Sequence, residues 1–275
     1  MMAAGVAAVV SLAIVPAVLR GQAPAAPAAP RPAAPAAARV PRTADGKPNL
    51  NGIWQAMVGS NWNLEDHGAS AGPFFQEGAV GAIPAGQSIV DGGDIPYTPA
   101  ALAKRNENAR NRLTLDPEVK CYMPGIPRAN YMPYPFQIVQ SPQNILFAYE
   151  YASSNRVVNM GKPTEAPVDS WMGWSNGKWV GDVLEVDVSG LNGNAWLDRA
   201  GNYTTDSTHV VERFTLAGPD HINYEATISD PKLYTRPWKI SLVLYKHMEK
   251  NFQLLEFKCV EFAEEMLYGH LRKKY

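Results

Sequence analysis

Four ionisable side chains lie close enough in the sequence to form an acid/base site. His209 and Glu212 belong to a strand-like run, HVVERF, and Asp198 and Asp206 precede it in a turn-rich segment. A histidine titrates near neutral pH, and a nearby carboxylate can orient its ring or act as the second proton-transfer group. These four candidate catalytic residues predict a hydrolase or a lyase that uses His209 with Glu212 or Asp198. In the structural alternative, the same polar groups close the strand connections, and Asp198 caps a turn.

The period-two alternation of HVVERF predicts which of these side chains share a face. In an extended strand, His209 and Arg213 lie on one face, whereas Val210 and Glu212 lie on the other. Because the face of Val210 is the more apolar one, we expect Glu212 to point toward the core. A buried carboxylate there needs a partner or a raised pKa. Arg213 is expected to form a cross-strand ion pair with Glu225.

Metal and nucleotide sites have no recognisable motif in this chain. The five histidines are scattered, and neither HxH, HExxH nor a thiol zinc spacing occurs. His209 with its neighbouring carboxylates is the one group close enough in sequence to propose as a metal site, and a structural histidine is the commoner outcome. The P-loop and the GxGxxG fingerprint are also absent from the sequence. We therefore expect no metal and no cofactor.

One pentapeptide, Gly173 to Gly177 (GWSNG), fits the letters of the GxSxG nucleophile elbow. That motif carries chemistry only where a buried strand leads into the serine and a helix follows it. Here the surrounding residues are rich in Gly and Trp, and they predict a loop instead. Covalent catalysis by Ser175 is therefore not expected.

Aromatic residues are frequent in the predicted loops, since the chain contains 7 Trp and 12 Tyr. A concave apolar site with a few polar groups is the usual form of a small-molecule pocket. These aromatics, which include Trp171 and Trp174, predict a pocket for a small organic or glycan-derived ligand. The candidate ligand-binding residues are Trp196, Trp238, Tyr234, Tyr131, Tyr134 and Arg128. For the Pro- and Tyr-rich segment 121–135, simple packing of a lid loop is the alternative.

The two cysteines, Cys121 and Cys259, predict a disulfide if the chain is exported. The bond would join the Pro-rich loop to the last predicted strand. In the chain-entropy view, closing so long a loop contributes about 4–5 kcal/mol. Two buried thiols are the alternative.

Strand-like runs separated by turn signals dominate the second half of the chain. They cover residues 136–140, 144–151, 156–160, 183–188, 209–216, 222–229, 238–245 and 252–259. Short connections favour antiparallel neighbours. We therefore predict a mainly β fold: an antiparallel up-and-down barrel or strongly curled sheet of about eight strands, lipocalin-like in general architecture.

Two helices are expected beside the strands. Thr98 and Pro99 are typical of a helix start, and a surface helix should follow near 99–112. The charged, periodic tail from residue 260 predicts a short C-terminal helix. The Gly-rich stretch 55–97 is expected to form long loops over the core.

Several segments of the sequence resemble a family of secreted bacterial proteins without an established activity. They are TADGKPNLNGIW, DPEVKCYMPGIPRANYMPYPFQIVQ, NAWLDRAG, HVVERF and DPKLYTRPW. The resemblance covers roughly residues 43–261. It implies export and a single β-rich domain, and it assigns no catalytic residue.

The N-terminal region predicts targeting rather than folded structure. Residues 1–23 are expected to be a signal peptide, residues 24–42 an Ala/Pro-rich tether, and residues 43–275 a single domain. The protein would then be periplasmic or secreted, and it would touch a membrane only if residues 1–23 stay uncleaved as an anchor. A formal net charge of −1 argues against nucleic acid as a partner. An envelope scaffold or interaction protein is the remaining alternative to ligand binding and catalysis.

Overall fold

The computed structural model describes residues 40–72, 78 and 82–271 of the chain. The predicted signal peptide (1–23) and nearly all of the predicted tether (24–42) lie outside the described residues. From residue 40 onward, the described chain belongs to one compact unit.

Nine strands in the described residues close into a barrel, in which β1 pairs with both β2 and β9. The strands are β1 (Gly52–Ala56), β2 (Phe136–Gln140), β3 (Asn144–Tyr149), β4 (Asn155–Asn159), β5 (Trp174–Val180), β6 (Val183–Ser189), β7 (His209–Leu216), β8 (His221–Ser229) and β9 (Trp238–Lys246). The predicted mainly β barrel is therefore confirmed. Eight of its junctions are antiparallel, and the junction of β4 with β5 is parallel.

Two strands escaped the sequence prediction, and one predicted strand is wrong. β1 and β5 were read as turn-rich segments, whereas residues 252–259 contain no strand. β9 pairs with β1 on the side away from β8. The segment that follows β9 therefore finds no open strand edge to pair with. Packing explains why position 177 in β5 is a glycine, because a Cβ there would lie 2.6 Å from Val158 Cγ1 and 2.5 Å from Met160 Sδ.

The helices follow the expected start and stop signals. Helix α1 (Pro99–Arg110) begins after Thr98, whose side chain accepts a hydrogen bond from the Ala101 backbone N–H at 3.3 Å. The short helices α2 (Arg112–Leu115) and α3 (Ala263–Tyr268) complete the set in the described ranges. The predicted surface helix and C-terminal helix are thus confirmed.

The barrel interior is filled by large side chains. Phe136, Phe147, Tyr149, Phe214 and Tyr224 point inward, and their neighbouring ring centroids lie 5.0 to 6.4 Å apart. The described loops between β1 and α1 add further apolar side chains to the same core, as their Gly-rich sequence predicted. Aromatic packing of this kind stabilises a core beyond the burial of apolar area alone.

Cys121 and Cys259 form the predicted disulfide, with a Cα–Cα distance of 5.8 Å. The bond ties the Pro-rich loop to an irregular segment, residues 250–262, that we call the C-terminal strap. Phe257 of the strap packs against Tyr134 and Tyr151. Within the described ranges, no helix has the length and apolar character needed to cross a bilayer.

Candidate functional site

His209 and Glu212 lie on opposite faces of β7, so the predicted acid/base pair does not assemble. The His209 ring lies on the outside of the barrel, where its side chain is 41% exposed and its Nε2 lies 2.8 Å from Asp187 Oδ2. Glu212 is fully buried inside. Asp206 is exposed and pairs with Lys232. Strand alternation, which predicted the inward direction of Glu212, also separates it from the histidine.

Asp198 is buried, and its carboxylate accepts hydrogen bonds from the surrounding loops. Its carboxylate accepts hydrogen bonds from the backbone N–H of Leu64 at 2.9 Å and of Asn202 at 3.1 Å. The Asn202 side-chain amide donates a third, at 2.5 Å. Burial raises the pKa of Asp198 to about 6 despite these donors. The bond from Asn202 fits the structural alternative, in which Asp198 caps a turn, and the bond from Leu64 joins that turn to a second loop.

Replacing Asp198 with asparagine should change how stability depends on pH. The Asp198 carboxyl has an ordinary pKa of 3.8, and its pKa in the native protein is about 6. Between these two pH values, the native carboxyl holds a proton that the unfolded chain has released. The stabilisation is therefore complete below pH 3.8 and is lost as the pH rises through 6, with a total of about 3 kcal/mol. We expect the unfolding free energy of the wild type, minus that of Asp198→Asn, to fall over this window in urea titrations. A flat difference would contradict the raised pKa.

The predicted ligand-binding residues are distributed over the core rather than around one cavity. Arg128 is buried in an ion-pair cluster with Asp116 at 3.1 Å and Glu118 at 2.7 Å. Tyr131 is fully buried, and its hydroxyl donates to the Leu197 carbonyl at 2.7 Å. The others are buried or partly buried by packing, namely Trp196, Tyr234, Trp238 and Tyr134.

Glu212 is the centre of a polar network inside the barrel. Its carboxylate accepts hydrogen bonds from Arg156 Nη1 at 2.5 Å and Nη2 at 3.1 Å. Asn130 Nδ2 and the Tyr224 hydroxyl donate to the same group at 2.7 and 2.8 Å. The Tyr149 hydroxyl donates to Asn130 Oδ1 at 2.9 Å. Burial alone lowers the pKa of Arg156, but the carboxylate of Glu212 outweighs that effect and raises it. Arg156 is therefore held as a cation in the barrel interior.

Arg156 also lines a cleft of about 850 Å³ in the barrel wall, at the junction of β4 and β5. We call it the seam cleft. Only Val158 and Asn159 of β4 pair with β5, opposite Ser175 and Asn176. In the described chain, residues 155–157 thus have a strand partner on the β3 side alone. The parallel junction needs a crossover connection, and that connection forms the far wall of the cleft.

Two buried polar atoms at the seam cleft have no hydrogen-bond partner within the described protein. They are Nε of Arg156 and Oγ of Ser175, and both residues line the cleft. Buried polar groups in proteins are almost always paired with protein, ordered water or a ligand. Two residues that line the cleft therefore each carry an unpaired polar atom that is itself shielded from solvent.

The remaining lining of the seam cleft combines aromatic walls with a polar rim. Trp171 and Trp174 contribute indole surface, and Trp174 is held by a hydrogen bond from Nε1 to Thr164 Oγ1 at 3.1 Å. The other apolar side chains of the lining are Met123, Val157, Pro167, Val168 and Met172. The polar ones are Asn144, Asn155, Asn159, Asn192, Ser170 and Asp169. Sequence reasoning named both tryptophans as loop aromatics but missed Arg156, because strand pairing alone brings it to this site.

Ser175→Ala is expected to raise the free energy of unfolding by about 1 kcal/mol, because it removes a buried hydroxyl that has no protein partner. Ser154 offers a matched control. It is also buried, but its Oγ donates to the Tyr151 carbonyl at 3.0 Å. Ser154→Ala should lower the free energy of unfolding by about 1 kcal/mol. Urea denaturation of both variants tests the contrast, and equal losses would contradict it.

Metal ligands do not cluster in this structure. Among the described residues, no group of three or more His, Cys, Asp or Glu side chains is arranged to hold a metal ion. Ser175 lies within β5 and leads into a hairpin with β6, so it lacks the strand-to-helix turn of a nucleophile elbow.

Comparison with known proteins leaves the interpretation to this geometry. No protein-family model matches the chain, and no curated protein matches it. Function is therefore argued from the seam cleft and its side chains.

Proposed function

We propose that this protein binds a small, neutral organic ligand with hydroxyl groups, such as one sugar unit of a glycan, in the seam cleft. The observation that carries the proposal is the pair of buried polar atoms without a protein partner, Arg156 Nε and Ser175 Oγ. Both residues line one solvent-connected cleft of about 850 Å³. Because both atoms are shielded from solvent, a ligand oxygen would accept from them after a local movement of the cleft lining.

The charges around the cleft favour a neutral ligand over a strongly anionic one. Arg156 is neutralised by its bidentate contact with Glu212. Asp169 is the other charged residue of the lining. An anion would therefore meet no net positive charge, whereas a neutral group needs none.

The side-chain types around the cleft favour a ring that carries hydroxyl groups. Asparagine amides offer both a donor and an acceptor, as hydroxyl groups do. The faces of Trp171 and Trp174 suit the apolar face of a sugar ring, and pockets that combine apolar walls with a few polar groups are typical ligand sites. This composition supports a sugar unit over a purely apolar molecule.

The cellular location that fits this function is outside the cytoplasm, in the periplasm or secreted. The Cys121–Cys259 disulfide supports an oxidising compartment. The apolar segment that precedes Gly21-Gln22-Ala23 supports export.

The test is a binding screen with neutral monosaccharides and disaccharides, read out by tryptophan fluorescence and by the shift in Tm. At least one of these sugars should raise the Tm of the wild type. Ser175→Ala and Trp174→Ala should lose the shift, although Ser175→Ala is the more stable protein without ligand. Ser154→Ala, which alters a paired serine that does not itself line the cleft, should keep it.

Two outcomes would end the proposal. The first is a wild type that responds to none of the sugars. The second is a response that persists unchanged in both cleft variants, because the ligand would then bind elsewhere.

A further inference from the structure

The seam cleft continues past Trp171 into a second groove of about 520 Å³. Trp171 lines both cavities. Leu115, Pro117, Lys120, Tyr122 and Asn194 complete the lining of the second groove. We call it the Tyr122 groove.

Three chain segments contribute to both cavities at once. Neighbouring residues Tyr122 and Met123 line the Tyr122 groove and the seam cleft, respectively. Asn194 lines the Tyr122 groove, and Asn192 lines the seam cleft. The Asn194 backbone N–H donates to Asn192 Oδ1 at 3.1 Å. Trp171 is the shared wall. The two cavities are therefore adjacent along one surface rather than on separate faces of the barrel.

An aromatic pair, formed by exposed Tyr122 and partly buried Trp171, lies at the boundary between them. The rings of Tyr122 and Trp171 lie 5.0 Å apart between centroids, with an interplanar angle of 33°. Tyr122 remains 49% exposed, although it is one of the larger apolar side chains. An exposed aromatic platform beside a pocket is typical of a binding surface.

From this continuity we infer that the ligand is a linear oligosaccharide of at least two units, with one unit in the seam cleft and the next on Tyr122 in the adjoining groove. The inference rests on the proposed function and extends it from a single sugar to a chain. Lys120 and Asn194 supply hydrogen-bond donors to the second unit.

The experiment compares affinities along the cello-, xylo- and manno-oligosaccharide series, from the monosaccharide to the tetrasaccharide, by isothermal titration calorimetry. In at least one series, the wild type should bind the disaccharide or trisaccharide about tenfold more tightly than the monosaccharide, as one added aromatic contact allows. Tyr122→Ala and Asn194→Ala should each reduce this length dependence, measured as the ratio of the oligosaccharide affinity to the monosaccharide affinity of the same variant. Tyr245→Ala is the matched control, since Tyr245 is 43% exposed but lines a different cavity.

The outcomes separate the two proposals. Binding without any length dependence would overturn the oligosaccharide inference and leave the seam cleft as a binding site for a single unit. Length dependence that survives both Tyr122→Ala and Asn194→Ala would also overturn it. If no sugar of any length binds the wild type, both proposals fail.

Discussion

Replacing Glu212 with glutamine is expected to lower the free energy of unfolding by about 3–5 kcal/mol, the usual cost of breaking a buried ion pair. The glutamine Oε1 can still accept from Asn130 and Tyr224, but its Nε2 would face the Arg156 guanidinium, donor against donor. A buried cation would then lack its counter-charge. Urea denaturation at neutral pH, with circular dichroism as the probe, measures the loss.

Two comparison variants test whether burial of the ion pair explains the large loss of unfolding free energy. The Arg213–Glu185 pair has a similar N–O distance, 2.6 Å, but is partly exposed. Glu185→Gln should therefore cost less than about 1 kcal/mol. The double variant Arg156→Met/Glu212→Gln should recover most of the loss, because it removes both charges together. Equal costs for Glu212→Gln and Glu185→Gln would contradict a buried, ionised pair.

Replacing both cysteines with serine is expected to lower the free energy of unfolding by about 4–5 kcal/mol, because the bond closes a loop between residues 138 positions apart. Denaturation of the wild type with and without a reducing agent should show the same difference. The double variant should not respond to the reducing agent. A wild type that unfolds at the same urea concentration in both conditions would contradict this result.

Loss of the disulfide should also free the C-terminal strap before the barrel unfolds. Most strap side chains are exposed, and few hydrogen bonds hold this segment, among them Phe262 N–H to the Val119 carbonyl and Leu255 N–H to Glu150. Limited proteolysis of the cysteine variant should therefore cut within residues 250–262 while the barrel stays intact. Equal resistance of the two proteins would show that packing of Phe257, rather than the disulfide, holds the strap.

The architecture was largely predictable because the strands alternate cleanly. In β7, every second side chain is buried, so the inward direction of Glu212 and the Arg213–Glu225 contact across the hairpin followed from the sequence. The same alternation placed His209 on the face of Arg213, opposite to Glu212, but the candidate residues were chosen by their closeness in sequence. The acid/base pair was therefore proposed between residues on opposite sides of one strand.

The seam cleft was not predictable, because it depends on pairing between strands distant in sequence. The Gly- and Trp-rich run at 173–177 resembles a loop by composition, yet it forms β5 next to β4. No local pattern indicates that this junction is parallel and only two residue pairs long. Arg156 likewise is held in place by Glu212, which lies 56 positions away in the chain.

The order of the strands fixes where the chain enters and leaves the barrel relative to the seam cleft. β1 and β9 are neighbours, and Trp54 lies opposite Lys246. The seam between β4 and β5 is four strands away around one side and five around the other. Arg42, ahead of β1, nevertheless reaches β5, because it pairs with Asp182 in the β5–β6 turn. Trp174 and Ser175 of the cleft lie at the other end of β5. A fusion partner at Arg42 should therefore lie beyond the far end of β5 and leave the cleft accessible.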